Sequence, residues 1–507
     1  MIFMSKFQSI FTGLGWAAVL ALITLFSMTL TEWHWIYALD DAYIHLTLAK
    51  NFALHGVWGL TPETQTFCSS SPLWTMLLAG FIKIFGCREW IPGVLNIVCV
   101  ALVMGRCDRV MERNGIALWP RLAAGALIFF LTPLAVVSST GMEHSLHILL
   151  ILLLVTSTHS AALLVFAFLA VAARFESLAV VAPFAGVLLL RGRWKTALGM
   201  AAFGVAPVFL HGFYALANGG FFLPNSILLK GHLEFSIMRL FAMYTAVSLV
   251  NVHVHIVCVL LLLTACSRRV RLELRQIALV LVAASVAHVT FADCGKFYRY
   301  EAYLIVSSLL VLALAWARVP RRPNMGEPWL FAARAGFLLA LIVPLFLRGT
   351  WSNFRHFRGA VNIYEQQFVL AKVINALPGN PPLAINDLGA VSLFCGNPLL
   401  DLWGLGTPEV ALLKRNGTYD AAAIERLLEE HRAQYIFVFE IWFPRANLPA
   451  QYQLAAQLKN TGNIVCAEDT VQMYALGDEG VSRLHEAVKG IALPKGSSIT
   501  LQNEKPR

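Results

Sequence analysis

The 507 residues are 58% hydrophobic and only 13% charged, where a soluble domain carries about 25% charged residues, and mean hydropathy is +0.66. Most of such a chain must lie in lipid, which excludes a wholly soluble enzyme. The net charge of +10 reads first as basic cytoplasmic loops rather than a nucleic-acid surface, because no basic patch interleaved with polar or aromatic residues occurs on a polar stretch.

The chain opens with Lys6 and a long apolar run that lacks a small-x-small cleavage site before Thr31-Glu32-Trp33, so it reads as an uncleaved first span. Further apolar runs fall near 90–106, 119–137, 144–157, 160–173, 177–190, 196–216, 242–264, 276–292, 301–317 and 329–347. With the first, near 10–30, that predicts about 11 transmembrane helices. The two runs between 144 and 173 are short enough to be half-spans or re-entrant. Basic clusters at Arg106/Arg109/Arg113, Arg191/Arg193/Lys195, Arg268/Arg269/Arg271/Arg275 and Arg318/Arg321/Arg322 all fall inside if the N-terminus is cytoplasmic. The segment from Arg348 onward then lies outside.

The first outer loop, 31–89, carries Asp40 and Asp41. Ile44, Leu48 and Phe52 recur every four residues, predicting an amphipathic helix at the interface that stops at His55-Gly56. Ser69-Ser70-Ser71-Pro72 opens a second helix, with a hydroxyl as its cap. After about 350 the pattern changes to strands at 383–385, 435–439 and 471–474 alternating with helices, the signature of a soluble α/β domain. The expected division is 1–347 membrane domain, 348–488 outer α/β domain, and 489–507 disordered tail. The nine cysteines form no CxxC pair; Cys395 and Cys466 are the only two in the α/β domain and could bridge in an oxidising compartment.

Ionisable residues near a bilayer are costly and mark sites. Asp40 and Asp41 are either a helix start or a general base, and the roles are compatible, since a cap fixes the geometry a base needs. Glu143 and His144 follow Thr140-Gly141 at an outer span end and could hold sugar hydroxyls or a phosphate. Arg174 and Glu176, two apart between short apolar runs, must pair or line a cavity, and a guanidinium there suits a phosphate. Asn225 marks an outer turn, and Lys230 adds a cation or snorkels. Tyr298, Arg299 and Glu301 crowd an outer span end beside Lys296, Phe297 and Tyr300, an aromatic belt that also suits a sugar phosphate. His253 and His255 read as interfacial. No metal-ligand spacing stands out.

In order, Asp40-Asp41-Ala42-Tyr43, Ser71-Pro72-Leu73-Trp74, Thr140-Gly141-Met142-Glu143, Arg174-Phe175-Glu176, Leu223-Pro224-Asn225, Tyr298-Arg299-Tyr300-Glu301, Asn386-Asp387-Leu388-Gly389-Ala390 and Asp401-Leu402-Trp403-Gly404-Leu405 resemble the motifs of the GT-C superfamily of polyprenyl-phosphate-sugar-dependent glycosyltransferases. The likeness is nearest the branch of the mycobacterial arabinofuranosyltransferase B and bacterial pilin arabinosyltransferases. One departure is Phe175, where many relatives have proline.

The resemblance implies a polytopic α-helical membrane protein of GT-C type with a periplasmic α/β domain, in the bacterial inner membrane with its N-terminus cytoplasmic. It implies an inverting transferase with an aspartate base at Asp40 or Asp41. Arg174, Lys230 and Arg299 would face the donor phosphate, and Glu143 and Glu176 the sugar. The donor would be a polyprenyl-phosphate-linked sugar, arabinofuranose among the candidates, and the acceptor an envelope glycan, lipid or pilin-like protein. Some relatives use a divalent metal (Mg or Mn) and others none. The competing class is a transporter or flippase of lipid-linked precursors, which would place ionisable groups mid-span and repeat itself in two halves.

Overall fold

The computed structural model describes residues 2–230, 251–292, 294–317 and 328–502. The Arg318/Arg321/Arg322 cluster, the start of the run expected at 242–264, the end of the tail and the Lys230 side chain lie outside what is described.

The helices are α1 (Ile2–Leu30), α2 (Asp41–His55), α3 (Pro72–Phe85), α4 (Trp90–Arg113), α5 (Leu118–Leu131), α6 (Leu134–Ser139), α7 (His144–Val155), α8 (Ser160–Ala173), α9 (Leu178–Leu190), α10 (Trp194–Ala217), α11 (Asn225–Lys230), α12 (Val252–Cys266), α13 (Leu272–Phe291), α14 (Ala302–Trp316) and α15 (Pro328–Ile363). An apolar helix overlaps every expected run. By length and composition, four cross a bilayer among the described residues: Phe7–Leu30, Trp90–Arg113, Trp194–Ala217 and Leu272–Phe291. Most of the others have 10–17 residues, less than the roughly 20 that 30 Å of hydrocarbon requires. The expected count of about 11 therefore rests on short helices that length alone does not qualify.

Two compact units divide the chain, one from Met1–Leu25, Gly93–Leu210 and Gly231–Phe354, the other from Phe26–Pro92, His211–Lys230 and Arg355–Arg507. The first is the apolar helical unit. The second unit takes in the whole of the 31–89 loop together with the α/β elements.

That second unit holds a six-stranded mixed sheet in the order β2-β1-β3-β5-β4-β6. Its strands are β1 (Leu383–Ile385), β2 (Leu399–Asp401), β3 (Tyr435–Val438), β4 (Tyr452–Asn460), β5 (Thr470–Leu476) and β6 (Ser497–Leu501). β1 pairs in parallel with β2 and β3, and the rest are antiparallel. Its helices are α16 (Val369–Asn375), α17 (Gly389–Phe394), α18 (Pro408–Asn416), α19 (Ala421–Glu430) and α20 (Gly477–Lys489), with a π turn at Tyr364–Phe368 before α16. Side chains alternate across the strands. Leu383, Ile385, Tyr435 and Phe437 enter one core with Ile44, Leu48 and Trp58 of the 31–89 loop, while Ala384, Ile436 and Val438 enter another with Ile424 and Leu427.

Several expectations are corrected here. Helix α2 does not lie at an interface: its residues from Ala42 to Ala49 are all buried, on every face. The tail is ordered as far as β6, whose backbone pairs with β4 from Ser497 to Leu501. Cys395 and Cys466 are free thiols. Cys395 Sγ donates to the Ala371 carbonyl (3.5 Å), and Cys466 Sγ accepts from Asn460 Nδ2 (3.8 Å). Helix α3 starts at Ser71 without a side-chain cap; instead Ser69 Oγ accepts from the Ser71 N–H (3.1 Å) and fixes the turn.

Candidate functional site

In the sheet-bearing unit, α2 is joined to α17 at three levels. At the first, Asp40 Oδ2 accepts from Gly389 N (2.5 Å) and Oδ1 from Ala390 N (2.8 Å). In the middle, Thr47 Oγ1 meets Ser392 Oγ at 3.0 Å. At the far end, Lys50 Nζ donates to the Leu393 carbonyl (3.3 Å). The first N–H groups of a helix have no partner within it, and a carboxylate suits them. Asp40 does act at a helix start, but not at its own: it makes no side-chain cap to α2.

Asp40 is buried, and Asp387, just before α17, lies near enough to act on its charge. Burial pushes the Asp40 carboxyl up, against the pull of Ala390, Asp387 and Gly389, and the Asp41 charge adds to the rise. Asp387 is itself held, its Oδ2 accepting from Gln367 Nε2 (2.9 Å) in the π turn. Cys466 lies beside the same two carboxyls, which raise its thiol further above a value already pushed up by burial. Asp41, in the first turn of α2, is half-buried.

The apolar unit gathers most of the other expected residues at helix ends. Glu143 precedes α7, Arg174 ends α8, and Glu301 precedes α14. Arg174 Nη1 donates to Glu143 Oε1 (2.5 Å), while its Nε donates to Glu176 Oε2 (2.9 Å) and Nη2 to Oε1 in a two-point pair. His144 Nε2 is 3.9 Å from Glu143 Oε1. The guanidinium carbons of Arg174 and Arg299 stand 5.4 Å and 4.9 Å from the Tyr300 ring centre. Glu301 Oε1 meets His253 Nε2 (2.9 Å) and accepts from Arg348 Nη2 (3.1 Å). Arg348 also lies 3.8 Å from the Tyr298 ring centre.

Glu143, His144, Arg174, Glu176 and Arg299 thus gather around Tyr300, and Tyr298 and Glu301 gather around Arg348 in a second group. Asn225 belongs to neither: its Nδ2 donates to the Leu405 carbonyl (3.1 Å) and its N–H to the Phe67 carbonyl (2.9 Å), which makes it a strut of the second unit. Three residues of these sites escaped the sequence reading. Arg348 follows directly on an apolar run, and the cost of burying it was the available signal. His253, read as interfacial, partners Glu301. Asp387 belongs to a recognised motif but gave no sign that it would meet Asp40.

His288, Cys294 and Glu301 have ligand atoms within 4.8 Å of one another, a metal-capable group among the described residues. A thiol and an imidazole suit zinc; Mg and Mn prefer oxygen ligands. Glu301 is moreover committed, through Oε1 to His253 and Arg348 and through Oε2 to Gly295 N (3.2 Å). The trio therefore does not fit an Mg or Mn cofactor.

The family model for a domain of unknown function, DUF8728, matches residues 360–474. No curated protein matches the sequence. The crystal structure of ArnT from Cupriavidus metallidurans bound to undecaprenyl phosphate is similar over 91% of this chain and 98% of that one, with a TM-score of 0.50 and 11% identity. The chain has an ArnT-like fold. That likeness is one of fold and does not extend to the arabinofuranosyl branch.

Proposed function

We propose that this protein is an inverting membrane glycosyltransferase that takes its sugar from a polyprenyl-phosphate donor. The observation that carries the reading is Arg348. It is buried, yet its Nε and Nη1 have no hydrogen-bond partner among the described residues. Unmet buried donors on a charged group cost more than about 1–3 kcal/mol. A phosphate would satisfy them with charge-assisted bonds. The ArnT fold supports this choice, since that protein was crystallised with undecaprenyl phosphate.

Arg348, Arg299 and Arg174 neutralise the donor phosphate, and Tyr298 and Tyr300 offer ring faces to the guanidiniums and the sugar. Glu143 and Glu176 hold Arg174 in place, and Glu301 holds Arg348. A base on the Asp40–Asp41 turn takes the proton of the acceptor hydroxyl. The hydroxyl oxygen forms its bond to the anomeric carbon as the bond to the phosphate oxygen breaks, and polyprenyl phosphate leaves with the electron pair. The anomeric configuration inverts.

The site faces the outer side of the bacterial inner membrane, the acceptor is an envelope glycan, lipid or protein, and arabinofuranose is the first sugar to try. The ionisable network sits at helix ends, which favours a surface reaction over a transporter's mid-span site. Purified protein given a panel of polyprenyl-phosphate sugars should show thermal stabilisation and transfer with one of them. A protein that neither binds nor turns over any of the panel would sink the reading.

A further inference from the structure

The sheet-bearing unit holds a cavity of about 480 Å³ at the end of α2 away from Asp40. Lys50, Asn51 and His55 of α2 border it, together with the loop at 60–66, the β1–β2 edge of the sheet and the turn that follows α17. Its size is ordinary for a small-molecule site. A helix rises 1.5 Å per residue, so Lys50 stands about 14 Å along α2 from Asp41. That is too far for the cavity to hold a hydroxyl reacting at the Asp40–Asp41 turn.

Its polar groups are suited to a hydroxyl. Asn397, in the turn after α17, is only 4% exposed. Its Nδ2 donates to the Pro381 carbonyl (2.9 Å), which fixes the orientation of the amide, and its Oδ1 has no hydrogen-bond partner among the described residues. A buried acceptor left unmet is costly, and a donor on a molecule in the cavity would relieve it. Lys50 Nζ spends one of its three donors on the Leu393 carbonyl (3.3 Å), which leaves two. An acceptor and donors bordering one cavity match a hydroxyl, which both donates and accepts. The carboxyls of Glu63 and Asp401 border it as well and offset the Lys50 charge, so a neutral molecule fits better than a phosphate. Leu60, Leu383 and Leu388 supply an apolar wall for the C–H face of a sugar ring.

We propose that this cavity is a sugar-binding subsite, which takes a neutral residue of a glycan acceptor at a distance from the hydroxyl that reacts. Of the three acceptor classes it selects the glycan, since an extended chain of sugars can reach both the cavity and the catalytic turn. Calling the sugar an acceptor rests on the transferase reading above; the binding of a sugar in the cavity does not.

The test uses the full-length purified protein without donor and neutral trisaccharides of arabinose, galactose, glucose and mannose, with inorganic phosphate as the anionic probe. Binding is followed by saturation-transfer NMR and by the shift in melting temperature. At least one trisaccharide should bind. Asn397→Ala should raise its Kd roughly 5–10-fold, the loss of one hydrogen bond, and Lys50→Met about tenfold, the loss of a charge-assisted one. Lys50→Met keeps the apolar stem, and the melting temperature of each variant without sugar shows whether it is folded. In transfer assays the same trisaccharide should have a lower KM as acceptor than the methyl glycoside of its sugar, and both variants should remove that advantage. Failure of all four trisaccharides to bind would overturn the proposal, as would binding that neither folded variant weakens, or phosphate binding that Lys50→Met abolishes. Variant-sensitive trisaccharide binding without turnover of any polyprenyl-phosphate sugar would sink the transferase reading and leave the subsite standing. Transfer without trisaccharide binding would do the opposite.

Discussion

Gly389→Ala perturbs the joint between α2 and α17 without changing any charge. The added methyl would overlap the Asp40 carbonyl oxygen at 2.1 Å and its Oδ2 at 2.5 Å, and the first is a backbone atom that cannot swing aside. The N–H of Gly389 and that of Ala390 would be pulled from a carboxylate, each such bond contributing about 1.5–3 kcal/mol. Partial relaxation leaves a loss of about 3 kcal/mol, or roughly 6–12 °C in melting temperature for a unit of this size. Thermal unfolding of the purified protein measures the stability term, and transfer from a polyprenyl-phosphate sugar the catalytic one; both should fall. Gly80→Ala is the control, an exposed helical glycine whose Cβ would meet nothing within 4 Å, and should be neutral or slightly stabilising. If Gly389→Ala melts with the wild type and transfers at the wild-type rate, Asp40 is not held as described.

Asn at one of Asp40 and Asp41 should abolish transfer with donor binding retained, and Asp40→Asn should also lower melting temperature because it weakens the bonds to Gly389 and Ala390; full turnover in both variants would remove the base from this turn. Arg348→Gln should raise donor KM and cost about 3–5 kcal/mol of stability by leaving Glu301 with only His253 and Gly295. The double change Arg348→Met with Glu301→Gln should recover stability and not donor affinity, which thermal unfolding with and without donor will separate. Asp401 is pushed up to about 6 by burial, against the N–H groups of Gly406, Trp403 and Gly404 and the Lys414 charge. A raised carboxyl favours the fold in acid, so its contribution is complete below about pH 4 and lost as pH rises through about 6. Asp401→Asn should flatten that part of a stability–pH curve by about 2–3 kcal/mol, and an unchanged slope would remove Asp401 as its source.

Periodicity and hydropathy located the apolar helices and the strands around Leu383, Tyr435 and Val471, because each of those strands is a run of apolar or β-branched residues bounded by turns. They did not reveal β4, whose Tyr-Gln-Leu-Ala-Ala-Gln-Leu-Lys-Asn has weak strand propensity and is held by pairing with β5 and β6. β6 was hidden for the same reason, an edge strand within a polar tail. Helix α2 showed its apolar stripe but not its burial on the opposite side, which depends on α3 and on α17 far away in the chain. The site was legible where a charge interrupts apolar sequence, as at Arg174 and Glu301. It was illegible where partners meet only in the fold, as Arg348 does with Glu301 and Asp387 with Asp40. No local pattern encodes a hydrogen bond between residues almost 350 positions apart.

The most direct measurement is transfer by the purified wild-type protein and its Asp40→Asn and Asp41→Asn variants from polyprenyl-phosphate sugars, with the anomeric configuration of the product determined. The account predicts an inverted product from the wild type, and donor binding without turnover from one of the two variants. Retention of configuration, or full turnover by both variants, would contradict it.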